Sequence, residues 1–510
     1  MTTAPPALDV RARTIGLVLA LGGLMVTVDT TVAFVAVPAI VADLDSTLPA
    51  VQWVTSGYLL GVVAVVPVAG WAAARYGARR VYLLALGVFT GSSVLAGLAG
   101  DAGSLTAFRI LQGLGGGLLN PVGQAIALRA VPREVRGRMM GLLGLPVLIG
   151  PVLGPLLAGW LVDTASWRWI FLINLPIGAA AILLCARLLP TQHADRPTAD
   201  QHQAARIDWA GLVLVCGGAV LLVLGCTLVG ESGSVTGRTG AALGAGLLLL
   251  VGFGARTVRT DAPLVDLRLL RHPPLAAGLG VLGCFGAGYF GAMTVLPVYV
   301  QGVRGDPASL AATITIPMAL AVGLTMQVAT RLVDRVPPRR IVLSGVTLGL
   351  LGTLALLLAT TSGASYPLIA AAGAVLGVGS GATLIPTMAV AVRDLENDDT
   401  ARGTTLLALV QQLAGAVGGA VIASSLTLLV AERVPALATA ERDGLAAMLA
   451  LDPRSRARLE DSLALAVGGS YAVAAGFVAL SMLAALVGLA ARPNEDRTQT
   501  RGQRRTIRSR

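Results

Sequence analysis

Residues 15–38 read IGLVLALGGLMVTVDTTVAFVAVP. The run is long and apolar enough to cross a hydrocarbon core of about 30 Å as one helix. Well inside it stands a carboxylate, Asp29. An acid at that depth costs roughly 2.5–3.5 kcal/mol on insertion scales and marks a functional site by default. A partner, a proton or a water-filled cavity must compensate it, and the rest of the chain is the scaffold that supplies these.

Of the 510 residues, 55% are hydrophobic and 13% charged, against about 25% charged in a soluble domain. Apolar runs recur near 15–38, 51–71, 80–100, 105–130, 139–162, 169–189, 209–229, 239–256, 275–302, 310–333, 341–360, 366–391, 403–430 and 465–491. At about 20 residues per crossing these predict about fourteen transmembrane helices, an all-α polytopic membrane protein. Most of the 63 glycines lie within the apolar runs, where they favour close helix approach rather than disorder.

An even number of crossings puts both termini on one side. Arg11 and Arg13, the groups Arg75/Arg79/Arg80, Arg133/Arg136/Arg138, Arg256/Arg259/Arg268/Arg271 and Arg335/Arg339/Arg340, and the C-terminal tail all fall there. By the positive-inside rule both termini are expected in the cytoplasm, with the chain multi-pass in the cell membrane. The net charge of +11 is thus a topology signal, and no nucleic-acid partner is expected. The tail ends in RGQRRTIRSR and is expected to be solvated, with contact to anionic lipid as the alternative.

The chain has no lysine, which excludes a Walker A loop and a Schiff-base enzyme. Cys185, Cys216, Cys226 and Cys284 lie in apolar runs without C-x-x-C spacing, and His193, His202 and His272 lie in predicted loops. No metal cluster or nucleophile–base pairing emerges, so neither an enzyme nor a cofactor is expected.

An internal repeat is visible. GWAAARYGARRV (70–81) returns as TRLVDRVPPRRI (330–341), and LGGGLLNP (114–121) echoes GSGATLIP (379–386). Two similar halves, each with a basic loop after its second helix, point to a transporter that binds substrate between halves near the midplane. The expected organisation is an N-terminal lead (1–14), a six-helix bundle (15–189), a linker (190–207), two extra helices (208–260), a second six-helix bundle (261–491) with an outside loop at 431–464, and a basic tail (492–510).

These motifs, in this order, resemble the fourteen-span drug:H⁺ antiporter branch of the major facilitator superfamily. VDTTVAFVAVP (28–38) is similar to that branch's first-helix signature, with Phe34 where Asn is usual. WVTSGYLL (53–60) resembles its second helix and RILQGLGGG (109–117) its fourth-helix proton-coupling motif. Gly141, Gly150, Pro151 and Gly154 resemble its fifth-helix antiporter motif, with Pro155 replacing a usual Gly, and WRWIFLINLPIG (167–178) is close to the start of its sixth helix. The resemblance implies a major facilitator fold of two six-helix repeats plus two central helices, driven by the proton gradient.

Asp29 and Arg109 are the expected proton-coupling pair. On a helix Arg109, Gln112, Gly113, Gly116 and Asn120 share one stripe at spacings of three and four. Burial disfavours an ionised carboxylate and a nearby guanidinium favours it, so a pair whose distance and hydration change between two conformations changes its hold on a proton. The plainer alternative leaves Arg109 snorkelling to the interface and Asp29 as a structural hydrogen-bond partner. No acid matches Asp29 in the second half, where the position matching Arg109 falls near Ala374.

Tyr58, Gln112, Asn120, Tyr289 and Gln411 are the main candidates for a substrate cavity, with Trp53, Gln124, Asn174, Gln327 and Gln412 behind them. Gly70, Arg75, Gly77, Arg79, Asp334 and Arg335 are the expected gating-loop residues. The first-half gate departs from the family pattern, with Ala74 and Ala78 where the resemblance implies Asp and Arg. Trp160, Trp167 and Trp169 read as interfacial anchors. The expected activity is proton-driven export of lipophilic or cationic toxic compounds by a monomer embedded in the bilayer. The alternative is an exporter dedicated to one compound, such as a self-made antibiotic, a lipid or a siderophore.

Overall fold

The computed structural model describes residues 9–132, 135, 139, 142–189, 208–232, 236–260, 267–332, 336–393, 395, 397–438, 448 and 451–488. They form long helices and, among the described residues, no strand. Helices and closed barrels are the structures that satisfy every backbone polar group in hydrocarbon. The first half contains α1 (Val10–Asp43), α2 (Leu48–Val65), α3 (Ala78–Gly97), α4 (Ala102–Arg129), α5 (Leu145–Thr164) and α6 (Asn174–Leu188). Then come α7 (Trp209–Ser232) and α8 (Gly237–Arg259). The second half contains α9 (Pro273–Val298), α10 (Ala308–Leu332), α11 (Pro338–Thr361), α12 (Tyr366–Ala391), α13 (Asn397–Arg433) and α14 (Pro453–Gly488). Among the described residues, twelve segments are long and apolar enough to cross a membrane; α4 and α5, of 28 and 20 residues, complete the bundle.

Local chemistry sets the helix starts. The side chains of Asp9, Thr47, Asp101 and Thr236 accept from the first-turn N–H groups of α1, α2, α4 and α8, satisfying donors that a helix start leaves open. At α4 the Asp101 carboxylate takes the Ser104 N–H at 2.9 Å and the Ser104 hydroxyl at 2.8 Å. Proline stands in the first turn of α2, α5, α9, α11 and α12, where no N–H is needed.

The two halves repeat one packing scheme. In the first, α1 packs on α5 and α6, α2 on α4, and α3 on α4 and α6. In the second, α9 packs on α13 and α14, α10 on α12, and α11 on α12 and α14. The match reaches single atoms: a side chain on Gly113 of α4 would collide with the Tyr58 carbonyl of α2, and one on Gly377 of α12 would collide with the Met318 carbonyl of α10. Glycine is what lets these backbones touch. Pro38 in α1 has its counterpart in Pro297 of α9. Helices α7 and α8 pack on each other, with α7 lying against α2 and α13.

Between halves, α2 meets α13, α5 meets α10, and α1 meets α9. The joint is tightest on the face away from the termini. There Asp163, at the end of α5, accepts the N–H groups of Ala308 and Ser309 at 3.0 and 2.7 Å. Gln301 donates to the Val35 carbonyl at 3.2 Å. One apolar core spans both halves on this face, from Val37, Ile40 and Val51 to Val298, Val300 and Val430. Towards the termini it divides, one part around Leu19, Tyr82 and Ile126 and another around Leu275, Leu282 and Leu407.

Some boundaries differ from the sequence reading. Helix α13 runs to Arg433 and α14 begins at Pro453, so regular helix occupies both ends of the expected 431–464 loop. Hydropathy marks where a helix enters lipid, not where it begins, and the polar stretch after Pro453 propagates as helix in water. Helix α2 breaks at a 3₁₀ turn, Val66–Val68, around Pro67 and resumes over Ala69–Tyr76. Trp160 and Trp169 are exposed, whereas Trp167, expected as an interfacial anchor, is buried and donates its indole N–H to Asp43 at 2.9 Å.

Candidate functional site

The polar stripe of α4 turns into the first half, not towards lipid. Arg109 Nη1 lies 2.5 Å from Asp29 Oδ2 on α1, and both side chains are fully buried. The same Nη1 donates to Gln112 Oε1 at 2.7 Å, and Nε donates to the Val54 carbonyl of α2 at 3.1 Å. The guanidinium lies over the Tyr58 ring, 4.5 Å from its centroid, with the Phe171 ring at 5.4 Å. Planar stacking and a multi-donor fork are what arginine offers and lysine does not.

The other carboxylate oxygen is equally occupied. Gln112 Nε2 donates to Asp29 Oδ1 at 2.7 Å, and Asn174 Nδ2 of α6 donates to it at 3.2 Å. Both amides also donate to Ser93 Oγ of α3, at 3.1 and 3.0 Å, and the Ser93 hydroxyl donates to the Phe171 carbonyl at 2.9 Å. Four helices thus converge on one carboxylate. Every one of these contacts is a donor aimed at an acceptor, the complement of the ionised form. Three donors thus occupy three of the roughly four lone-pair sites of the carboxylate. Arg109 Nη2 and the Tyr58 hydroxyl are buried without a hydrogen-bond partner, so the network carries unspent polar capacity beside the pair.

A separate cavity lies between the halves, lined among others by Thr31, Phe34, Pro155, Tyr289, Met318 and Tyr471. Asp29 does not line it. Of the expected cavity residues Tyr289 does, while Tyr58 and Gln112 belong to the buried charge network. Asn120 is exposed beside Gly23 of α1 and Pro146 of α5, and Gln411 of α13 is half-buried beside Gly286 of α9.

The fifth-helix motif packs directly on α1. Side chains on Gly150 or Gly154 would strike Thr27 and Thr31 respectively, so the two helices approach closely, and Pro155 reaches the cavity wall. Pro151 falls inside α5, its side chain outside the described part, and Gly141 lies outside the described residues. Among the gating-loop residues, Gly70 and Arg75 are exposed, and Gly77 turns the chain into α3 with φ +86°, a left-handed value that favours glycine. Arg79 Nη2 donates to the Ala186 carbonyl at 2.5 Å, a cation on the open carbonyls that end α6. Asp334 and Arg335 lie outside the described residues.

Sequence reasoning did not assign Ser93 and Asn174 to the carboxylate. Their one signal is polarity within apolar runs, Ser93 beside Ser92 in α3 and Asn174 at the start of α6. Among the described residues no group of three or more His, Cys, Asp or Glu could hold a metal.

Comparison with known proteins agrees with this architecture. The family model described as Major Facilitator Superfamily matches residues 19–419. A "Multidrug resistance protein B homolog" of Mycobacterium tuberculosis (strain ATCC 25618 / H37Rv) is 36% identical over 427 residues, covering 83% of this chain and 78% of that protein. Among solved structures, a bacterial homolog of the human lysosomal transporter Spinster superposes with a TM-score of 0.65 at 16% identity, covering 95% of this chain and 98% of that one. A D-xylose-proton symporter gives a TM-score of 0.61 at 16% identity, covering 93% and 96%. At these identities the structural likeness concerns the fold.

Proposed function

The chain belongs to the major facilitator superfamily, a membrane transporter and not an enzyme, and on that premise we propose that it is a proton-coupled exporter of lipophilic or cationic toxic compounds. The observation that carries this reading is the sealed Asp29–Arg109 pair, held by Gln112 and Asn174, whose amides Ser93 braces in turn. A buried pair costs heavily to break by removing one partner. A structural role alone would be served as well by an apolar core, whereas a switchable proton site needs both charges.

In this reading the conformation described here holds Asp29 ionised. Movement of α1 against α4 and α6 withdraws a donor, a proton binds in its place, and the pair re-forms when the proton leaves. Substrate occupies the space between the halves, which open alternately to the two faces. The arginine-rich face carrying the termini is the cytoplasmic one, in the cell membrane, and one chain suffices as the working unit. The relative's name as a multidrug resistance protein favours export over uptake.

The test is export from everted vesicles or proteoliposomes under an imposed pH gradient. Wild type concentrates substrate against its gradient, and Asp29→Asn, inserted normally, does not. Gradient-dependent export by Asp29→Asn would overturn the proposal.

A further inference from the structure

Resting on the exporter reading, we infer that the cavity between the halves takes uncharged lipophilic compounds bearing a hydrogen-bond acceptor, with the Tyr471 hydroxyl as its donor, and discriminates against cations. Among the described residues, no charged side chain lines this cavity. The one acid deep in α1 is turned elsewhere, with both carboxylate oxygens taken by Arg109, Gln112 and Asn174. A cation entering here sheds its hydration and finds no counter-charge, which is unfavourable in an apolar site.

The lining hydroxyls differ in what they have left to give. Thr31 donates to its own helix, to the Val28 carbonyl at 2.9 Å or the Thr27 carbonyl at 3.0 Å, and Thr315 donates to the Ala312 carbonyl at 2.7 Å. Tyr471 is fully buried at the cavity and its hydroxyl has no hydrogen-bond partner. A buried donor without an acceptor is costly, and a ligand oxygen that accepts from it removes that cost. The remaining wall is mostly aliphatic, with Leu296, Leu356 and Leu376, and carries Phe34, Tyr289 and Met318, whose rings and thioether adapt to varied apolar shapes. In this conformation the cavity holds only about 30 Å³, against roughly 300–1,000 Å³ for a drug-sized site. Ligand binding therefore requires the halves to part.

Three probes of similar bulk separate the possibilities: triphenylphosphine oxide (neutral, with an acceptor), triphenylmethane (neutral, without one) and tetraphenylphosphonium (a cation). Their dissociation constants are measured on the purified full chain in nanodiscs. The expected result is that the oxide binds at least about tenfold more tightly than the phosphonium, and that Tyr471→Phe weakens the oxide by about five- to tenfold while leaving triphenylmethane unchanged. The wild-type comparison needs no variant to fold. Phosphonium binding as tight as the oxide, through cation–π contact with the aromatic wall, would overturn the proposal. So would equal losses for all three probes in Tyr471→Phe, or no binding by any probe. Asp29-dependent export of the phosphonium in cells would uphold the exporter while sinking this substrate class.

Discussion

Asp29 and Thr31 stand two residues apart on α1 and face opposite ways: the Asp29 carboxylate is enclosed by α4, α3 and α6, while Thr31 lines the cavity between the halves. At about 100° per residue such a pair is separated by roughly 200° around the helix. One helix therefore carries the buried ion pair on one flank and a cavity wall on the other. In the proposed reading, a small rotation or shift of α1 changes both at once, so substrate and proton need not compete for a single group.

Removing the arginine should expose the cost of the buried charge. Arg109→Ala leaves Asp29 in a fully buried site without its ion partner, which typically costs about 3–5 kcal/mol. Removing the charge of Asp29 as well relieves that cost. Arg109→Ala should melt well below wild type, and adding Asp29→Asn should recover part of the gap, as melting curves in detergent would show. No recovery in the double variant would mean that Asp29 is not the group involved.

Asn174 is expected to act as a positioning residue for the carboxylate. Its amide donates to Asp29 Oδ1 and to Ser93 Oγ, and a donor to a carboxylate favours the ionised form. Asn174→Ala removes that donor, and export driven by a pH gradient should fall several-fold at unchanged protein yield, with Asn174→Gln restoring part of it. A loss of yield that accounts for all of the lost export would assign Asn174 a purely structural role.

Contact between α1 and α5 depends on a missing side chain. A methyl group on Gly154 collides with Thr31 Oγ1, and overpacking of this kind costs about 1–3 kcal/mol. Gly154→Ala should lower the melting temperature and slow export, and adding Thr31→Ala should recover the stability. Failure of the second substitution to recover it would place the strain elsewhere.

The joint at the face away from the termini rests on Asp163, which accepts from two backbone N–H groups of α10. Hydrogen bonds to a charged group are worth about 1.5–3 kcal/mol, so Asp163→Ala should shift the balance between conformations by roughly tenfold or more. A cysteine placed at Val35, in a background lacking the four native cysteines, should react correspondingly faster with an impermeant maleimide added from that face. Unchanged labelling would show that the apolar core alone closes it.

Much of this was legible in the chain. Hydropathy located the spans because lipid exposure demands long apolar runs, and the repeat of basic loops foretold two halves whose contacts coincide helix by helix. Arg109 was recognisable as Asp29's partner because few charges lie within the spans. Ser93 and Asn174 were not assignable, since their roles depend on how α3 and α6 pack and a lone Ser or Asn in an apolar run has many possible partners. Tyr58 and Gln112 were expected at a substrate cavity because polarity within a span does not say which flank of the helix faces the gap. Trp167 read as an anchor because tryptophan suits the interface, yet Asp43 captures its indole N–H. Of the cavity's own residues, Tyr289 was expected there and Phe34 and Pro155 stood out as departures from the family pattern, whereas Tyr471 and Met318 carry no sequence signal beyond being aromatic or apolar.

The most direct test of proton coupling is substrate-induced proton release from the purified protein, read with a pH dye across a panel of neutral and cationic lipophilic compounds. Wild type should release about one proton per chain on binding a substrate, and Asp29→Asn should bind the same compound and release none. Equal release from wild type and Asp29→Asn would contradict the account.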